Sequence, residues 1–128
     1  MIDVHTHLLP GVDDGSPNAE HSAMVLARLH GEGVRGLVCT PHLNASRAPE
    51  APFYEHARLL DDLRRRVPDG LVLYSGFEIM LDAPGSDLSD PRLGLAGSKA
   101  RLVEYPRRGL PSTATEELLR IRGAGLVP

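Results

Sequence analysis

The sequence predicts an α/β fold built on a parallel sheet, and three observations point there. Short apolar runs of strand length alternate with stretches of helical periodicity, in the order β-α-β-α-β-loop-β-α-(β). Gly, Pro and Asp punctuate the joins. Residues suited to metal chemistry recur at or just past the ends of the strand-like runs, where parallel sheets and barrels carry their sites.

Each element follows from local chemistry. Ile2-Asp3-Val4 reads as a short strand that delivers His5, and Pro10-Gly11 and Asp14-Gly15 mark a loop. Ser16-Pro17 predicts a helix start, a hydroxyl cap followed by proline at the first helical position. Ala19, Ala23, Leu26 and Leu29 then recur at helical spacing until Gly31 and Gly33. Residues 36–40 form a second strand, ended by Pro41-His42, and a loop rich in Ala, Ser and Pro follows. The second helix carries one apolar stripe of Phe53, Ala57, Leu60, Leu63 and Val67, with Asp61, Asp62 and Arg64-Arg65-Arg66 on a solvated face. Residues 71–75 form a third strand leading through Gly76-Phe77 to Glu78. Residues 82–99 read as a polar connection with little regular structure, and 101–105 as a fourth strand. Thr113 and Glu116 fit a capping box for a third helix carrying Leu118, Leu119 and Ile121. Leu126-Val127-Pro128 resembles the opening of a fifth strand.

Composition narrows the class. The 128 residues are 41% apolar and 24% charged, the range of a soluble globular domain. A net charge of −3 argues against a nucleic-acid surface. No apolar run has transmembrane length, and the N-terminus lacks the pattern of a secretory signal. The expectation is a cytoplasmic protein with neither nucleic-acid binding nor membrane insertion. A lone Cys39 makes no internal disulfide and reads as a small apolar filler.

The candidate site begins with His5 and His7. Side chains two apart on a strand share a face, so this pair presents two imidazoles together. Asp13 or Asp14 follows as a carboxylate ligand, Asp14 the favoured one, although both also suit a turn before Gly15. His42, Glu78 and Glu104 each lie at a strand end, and a carboxylate such as Glu78 can bridge two ions. Glu104 could instead pair with Arg101, Arg107 or Arg108. Arg47, Arg107 and Arg108 are loop cations on the same side and candidates to hold an anionic substrate. His21, His30 and His56 fall within helices and read as solvated or partly packed.

These motifs carry a family likeness. Ile2-Asp3-Val4-His5-Thr6-His7, Val12-Asp13-Asp14-Gly15, Cys39-Thr40-Pro41-His42, Gly76-Phe77-Glu78-Ile79 and Leu102-Val103-Glu104-Tyr105 resemble the polymerase and histidinol phosphatase (PHP) superfamily. Within it, the sequence is most similar to the bacterial manganese-dependent protein-tyrosine phosphatases of capsule and exopolysaccharide operons. The resemblance implies a distorted βα barrel with a trinuclear Mn²⁺ centre, in which other divalent ions are possible. His5 and His7 would hold one ion, Glu78 would bridge it to a second held by Glu104, and Asp14 and His42 would help hold a third. The implied reaction is hydrolysis of phosphotyrosine on an autophosphorylating tyrosine kinase of the polysaccharide-export machinery.

A complete barrel of this kind takes about 200–250 residues. Relatives continue with a His-bearing strand and an Asp-x-His pair, whereas no histidine follows His56 here. Residues 1–128 therefore read as a partial PHP domain, the N-terminal half of the barrel. It is expected to have little activity alone and to leave sheet edges and apolar helix faces exposed. Two other functions fit the residues: a small-molecule phosphatase of the histidinol-phosphate type, and a non-catalytic half-domain that binds metal or a partner through homo-oligomerisation.

Overall fold

A computed structural model describes all residues, Met1–Pro128. Its strands are β1 (Ile2–Thr6), β2 (Gly36–Cys39), β3 (His42–Asn44), β4 (Val72–Ser75), β5 (Glu78–Met80) and β6 (Leu102–Glu104). Its α-helices are α1 (Ala19–Gly31), α2 (Phe53–Arg64) and α3 (Ala114–Gly123), with short 3₁₀ helices at Ala45–Glu50, Pro91–Leu93 and Leu95–Gly97. All the strand pairs are parallel, as the alternation predicts. No helix is long and apolar enough to cross a membrane.

The sheet is not continuous. It forms two three-stranded sheets, ordered β1-β2-β4 and β3-β5-β6. The second and third strands of the sequence reading end where it places them, and after a break at Thr40-Pro41 and at Gly76-Phe77 each is followed by a further short strand, β3 and β5. Proline at 41 has no N–H to give a ladder, which confines it to such a break. The chain then re-pairs in a new sheet, with His42 opposite Glu78 and Glu78 opposite Leu102. His42 and Glu78 therefore open strands of their own instead of lying in loops beyond a strand end.

A buried pair of threonines locks the first sheet at the break. Thr6 N–H donates to Thr40 Oγ1 at 3.0 Å, and Thr6 Oγ1–H donates to the Val38 carbonyl at 2.8 Å. β1 also carries a bulge between Asp3 and Thr6, and Asp3 Oδ1 accepts from the His5 N–H at 3.1 Å. Bulges of this kind re-aim side chains beside sites.

Two clusters make the core. One gathers Leu26, Leu37, Leu60, Leu63, Leu71 and Leu73 between the first sheet and the helices α1 and α2. The other gathers Leu43, Phe77, Ile79, Leu81, Leu93 and Ile121 behind the second sheet. The helix side chains Leu26, Leu60, Leu63 and Ile121 are covered, whereas Met24 of α1 and Leu119 of α3 stay exposed, so the expectation of exposed apolar helix faces holds in part. On the first sheet the exposed apolar side chains Ile2, Val4, Val72 and Tyr74 alternate with the buried Leu37 and Leu73 rows and face away from the helices.

Several helix ends differ from the sequence reading. Asn18, with extended backbone, caps α1 by accepting from the His21 N–H at 2.9 Å. Ser16 is buried and bonded to Ser22 Oγ at 2.6 Å, so Pro17 lies outside the helix. The capping box of α3 does not form, because Thr113 lacks the extended cap geometry and its side chain makes no cap bond. Glu117 turns inward instead, accepting from Gly85 N–H and from Arg120. α2 ends at Arg64, before Val67, and Arg64 leaves the solvated face to donate to the Leu73 carbonyl of β4.

The connection over residues 82–99 holds only single 3₁₀ turns, but a buried cation organises it. Arg101 donates to the carbonyls of Leu88, Ser98 and Asp90 at 2.8–3.1 Å. Val127 meets Ala100 in an isolated parallel bridge, the trace of the fifth strand.

Leu63 is completely buried in the first cluster. Leu63→Ala is expected to lower unfolding free energy by about 2–5 kcal/mol, measured by urea denaturation. A loss below about 1 kcal/mol would place Leu63 outside a packed core.

Candidate metal centre

The break between the sheets collects donors from four strands and one turn. Glu78, at the start of β5, is buried beneath three imidazoles. Its Oε1 lies 3.1 Å from His5 Nε2, and its Oε2 lies 3.1 Å from His7 Nε2 and 3.2 Å from His42 Nδ1. His5 and His7 share a face as their spacing predicts, with Nε2 atoms 3.3 Å apart. Glu104, at the end of β6, reaches His42 Nδ1 at 3.4 Å. It has no bond to Arg101, whose guanidinium is committed to carbonyls.

Residues 8–15 fold back over this cluster. Ser16 N–H donates to the His7 carbonyl at 2.9 Å, which brings Gly15 against His7. A Cβ at Gly15 would lie 2.2 Å from the His7 carbonyl oxygen and 2.3 Å from the His7 Cβ, so glycine is required there by contact. The Asp13 side chain is largely covered, with Oδ2 at 2.8 Å from His7 Nδ1. Asp14 is exposed, with Oδ1 at 3.3 Å from His42 Nε2.

The electrostatics follow from this crowding. Partial burial works against protonation of His7, but the Asp13 bond and the charges of Asp13, Glu78 and Asp14 outweigh it and raise its pKa. Burial likewise opposes ionisation of Asp13. Hydrogen bonds from His7, Gly15 and His42 overcome it and hold the carboxyl below its usual range.

The donors fit divalent cations. They form three groups: His5, His7 and Glu78; His42, Glu78 and Glu104; and His7, Asp13, Asp14 and His42. Within each group the donor atoms lie within 4.8 Å of one another. Separations of 3.1–3.4 Å are those of neighbouring ligands at about 2.1 Å from a shared ion. Mixed imidazole and carboxylate donors suit borderline to hard ions.

The other candidates make no hydrogen bond or ion pair to this cluster. Arg47 pairs with Glu50 at 2.7 Å, and Arg107 and Arg108 are exposed in the turn after β6. His21 bonds Ser16, His30 faces Arg35, and His56 stacks on Phe77. Sequence reasoning missed two supporting features, the Thr6–Thr40 lock and the contact that demands Gly15. An adjacent Asp-Asp-Gly was the only available signal of the second.

A parallel α/β fold with imidazoles and carboxylates gathered at its sheet break defines the class: a parallel α/β protein with a candidate centre for divalent cations. A family model described as capsular polysaccharide synthesis, CpsB/CapC, matches residues 1–128, and the chain belongs to that family. It is 36% identical to tyrosine-protein phosphatase CpsB of Streptococcus pneumoniae over 81 residues, 62% of this chain and 33% of that protein. It is 27% identical to tyrosine-protein phosphatase YwqE of Bacillus subtilis strain 168 over 136 aligned positions, covering 100% of this chain and 52% of that protein. Among solved structures, it superposes with a TM-score of 0.81 and 29% identity on a chain from the crystal structures of YwqE and CpsB, described as unique metal-dependent tyrosine phosphatases. That match covers 100% of this chain and 53% of the other, and it bears out the PHP-type fold. The chain spans about half the length of the curated relatives it matches.

Two outcomes test the local picture. Gly15→Ala is expected to destabilise the protein by about 1–3 kcal/mol in urea melts, because backbone must shift; an unchanged midpoint would contradict the contact. Burial pushes the Cys39 thiol up to about 12. Ellman's reagent at about pH 8, near the free-thiol pKa, is therefore expected to label Cys39 only after denaturation. Rapid labelling of the native protein would contradict that burial.

Proposed function

We propose that residues 1–128 form the N-terminal part of a PHP-type domain and carry much of the metal centre of a protein-tyrosine phosphatase. The observation that carries this reading is Glu78, a buried carboxylate shared by imidazoles from three segments. His5, His7 and Glu78 would hold one cation, and Glu78 with Glu104 would hold a second. Asp14 and His42 help hold a third. Asp14 suits this role because its carboxylate is open to solvent beside His42.

The cations are Mn²⁺ in this reading, and they supply Lewis acidity toward a phosphoryl group and toward water. The protein's own part is to fix the donors and shield Glu78 from solvent. Arg47 and Arg107 supply positive charge for the phosphate or the peptide around it. No thiol nucleophile is involved, which agrees with the burial of Cys39. The substrate is phosphotyrosine on a tyrosine kinase of polysaccharide export, met in the cytoplasm. The names of the relatives support the tyrosine-phosphatase reaction, and the family description supports a link to capsular polysaccharide synthesis.

The test has two parts. Mn²⁺ titrated into the metal-stripped chain is expected to bind, with Glu78→Gln weakening affinity at least about 10-fold, the lower end for a lost metal-site interaction. Residues 1–128 fused in place of the aligned half of YwqE are expected to hydrolyse a phosphotyrosine peptide in preference to histidinol phosphate. The chain by itself is expected to turn over p-nitrophenyl phosphate at a small fraction of the YwqE rate. Failure to bind Mn²⁺, or a metal-loaded fusion that prefers histidinol phosphate, would contradict the proposal.

A further inference from the structure

We propose that Asp13 is a positioning residue, which fixes the nitrogen of His7 that carries the proton and ties that ring to the strand bearing His42. This rests on the metal-centre reading above.

The Asp13 carboxylate is engaged through both oxygens. Its side chain is 7% exposed. Oδ1 accepts from the Gly15 N–H at 3.0 Å, and Oδ2 accepts from the His42 N–H at 3.3 Å while facing His7 Nδ1 at 2.8 Å. An ionised carboxylate only accepts, so the hydrogen between it and His7 belongs to Nδ1. In the neutral ring the shorter contact, 2.8 Å to Asp13 against 3.1 Å to Glu78, keeps the hydrogen on Nδ1 and leaves the Nε2 lone pair for a cation. Nε2 is the atom that faces Glu78 Oε2 at 3.1 Å and His5 Nε2 at 3.3 Å. A carboxylate behind a ligating imidazole also makes its far nitrogen a stronger donor.

The same group couples two parts of the centre. His7 follows β1 in the first sheet, and His42 opens β3 in the second. Asp13 holds the ring of one and the backbone of the other, with the two rings 4.5 Å apart between centroids. Asp14 is the opposite case, exposed and aimed at His42 Nε2. Adjacent carboxylates therefore do separate work: Asp13 orients the donors, and Asp14 offers its oxygens.

Asp13→Asn is the discriminating variant. An amide has one acceptor oxygen, so it cannot satisfy Gly15 on one side and His7 with His42 on the other. Imidazole ¹⁵N shifts of the metal-free protein are read at about pH 9, above the histidine range. The wild-type His7 is expected as the Nδ1–H tautomer, and the variant as a mixture or as Nε2–H. Mn²⁺ affinity by calorimetry is expected to fall roughly 10–100-fold, with amide shifts far from the turn retained. An Nε2–H tautomer in the wild-type protein would overturn the proposal. So would an unchanged tautomer in the variant; with lost affinity, that result would make Asp13 a direct ligand. If the variant does not fold, the wild-type tautomer decides alone. A wild-type protein that binds no Mn²⁺ yet shows the Asp13-dependent tautomer would remove the metal reading and leave the positioning role standing.

Discussion

A buried carboxylate needs partners, and the placing of Glu78 organises this protein. Removing a charge from water without compensation is prohibitive, so it must be paired or ligate a cation. Glu78 finds its partners in His5, His7 and His42, which arrive from β1, the turn after it and β3. That convergence requires the strands to stop and re-pair at one level. Pro41 and the Gly76-Phe77 step make the breaks, and the Thr6–Thr40 pair fixes the level of β1 against β2.

The donors are arranged for a cation or for protons, and the two compete. Each imidazole near Glu78 has one ring nitrogen with a lone pair when neutral and none when protonated. Metal affinity in such a site falls as acid claims those lone pairs. The raised pKa of His7 and the depressed pKa of Asp13 are two sides of this arrangement, because each group stabilises the charge of the other.

Much of the fold and site was legible in the sequence. The His5-x-His7 spacing places two side chains on one strand face, and the bulge in β1 leaves that relation intact. The α2 stripe was readable because helical periodicity is local, and Leu60 and Leu63 are buried as it required. The division into two sheets was not readable, because a proline between two apolar runs signals an end equally well for a strand entering a loop and for one changing sheets. Helix caps misled where two candidates stood side by side: Ser16 and Asn18 both have capping chemistry, and only backbone geometry chose Asn18. The roles of Asp13 and Asp14 could not be separated without burial, since both are carboxylates before a glycine. The exposed apolar row of Ile2, Val4, Val72 and Tyr74 was also hidden, because a parallel strand covered on both faces reads much like one covered on a single face.

The central claim is that the donors around Glu78 share cations. Anomalous diffraction at the manganese edge, from crystals of the metal-stripped protein soaked in Mn²⁺, tests it most directly. The account predicts anomalous density within bonding distance of Glu78 and of His5 and His7, with further density toward His42 and Glu104. Crystals that show these side chains in place but no anomalous density among them would contradict it.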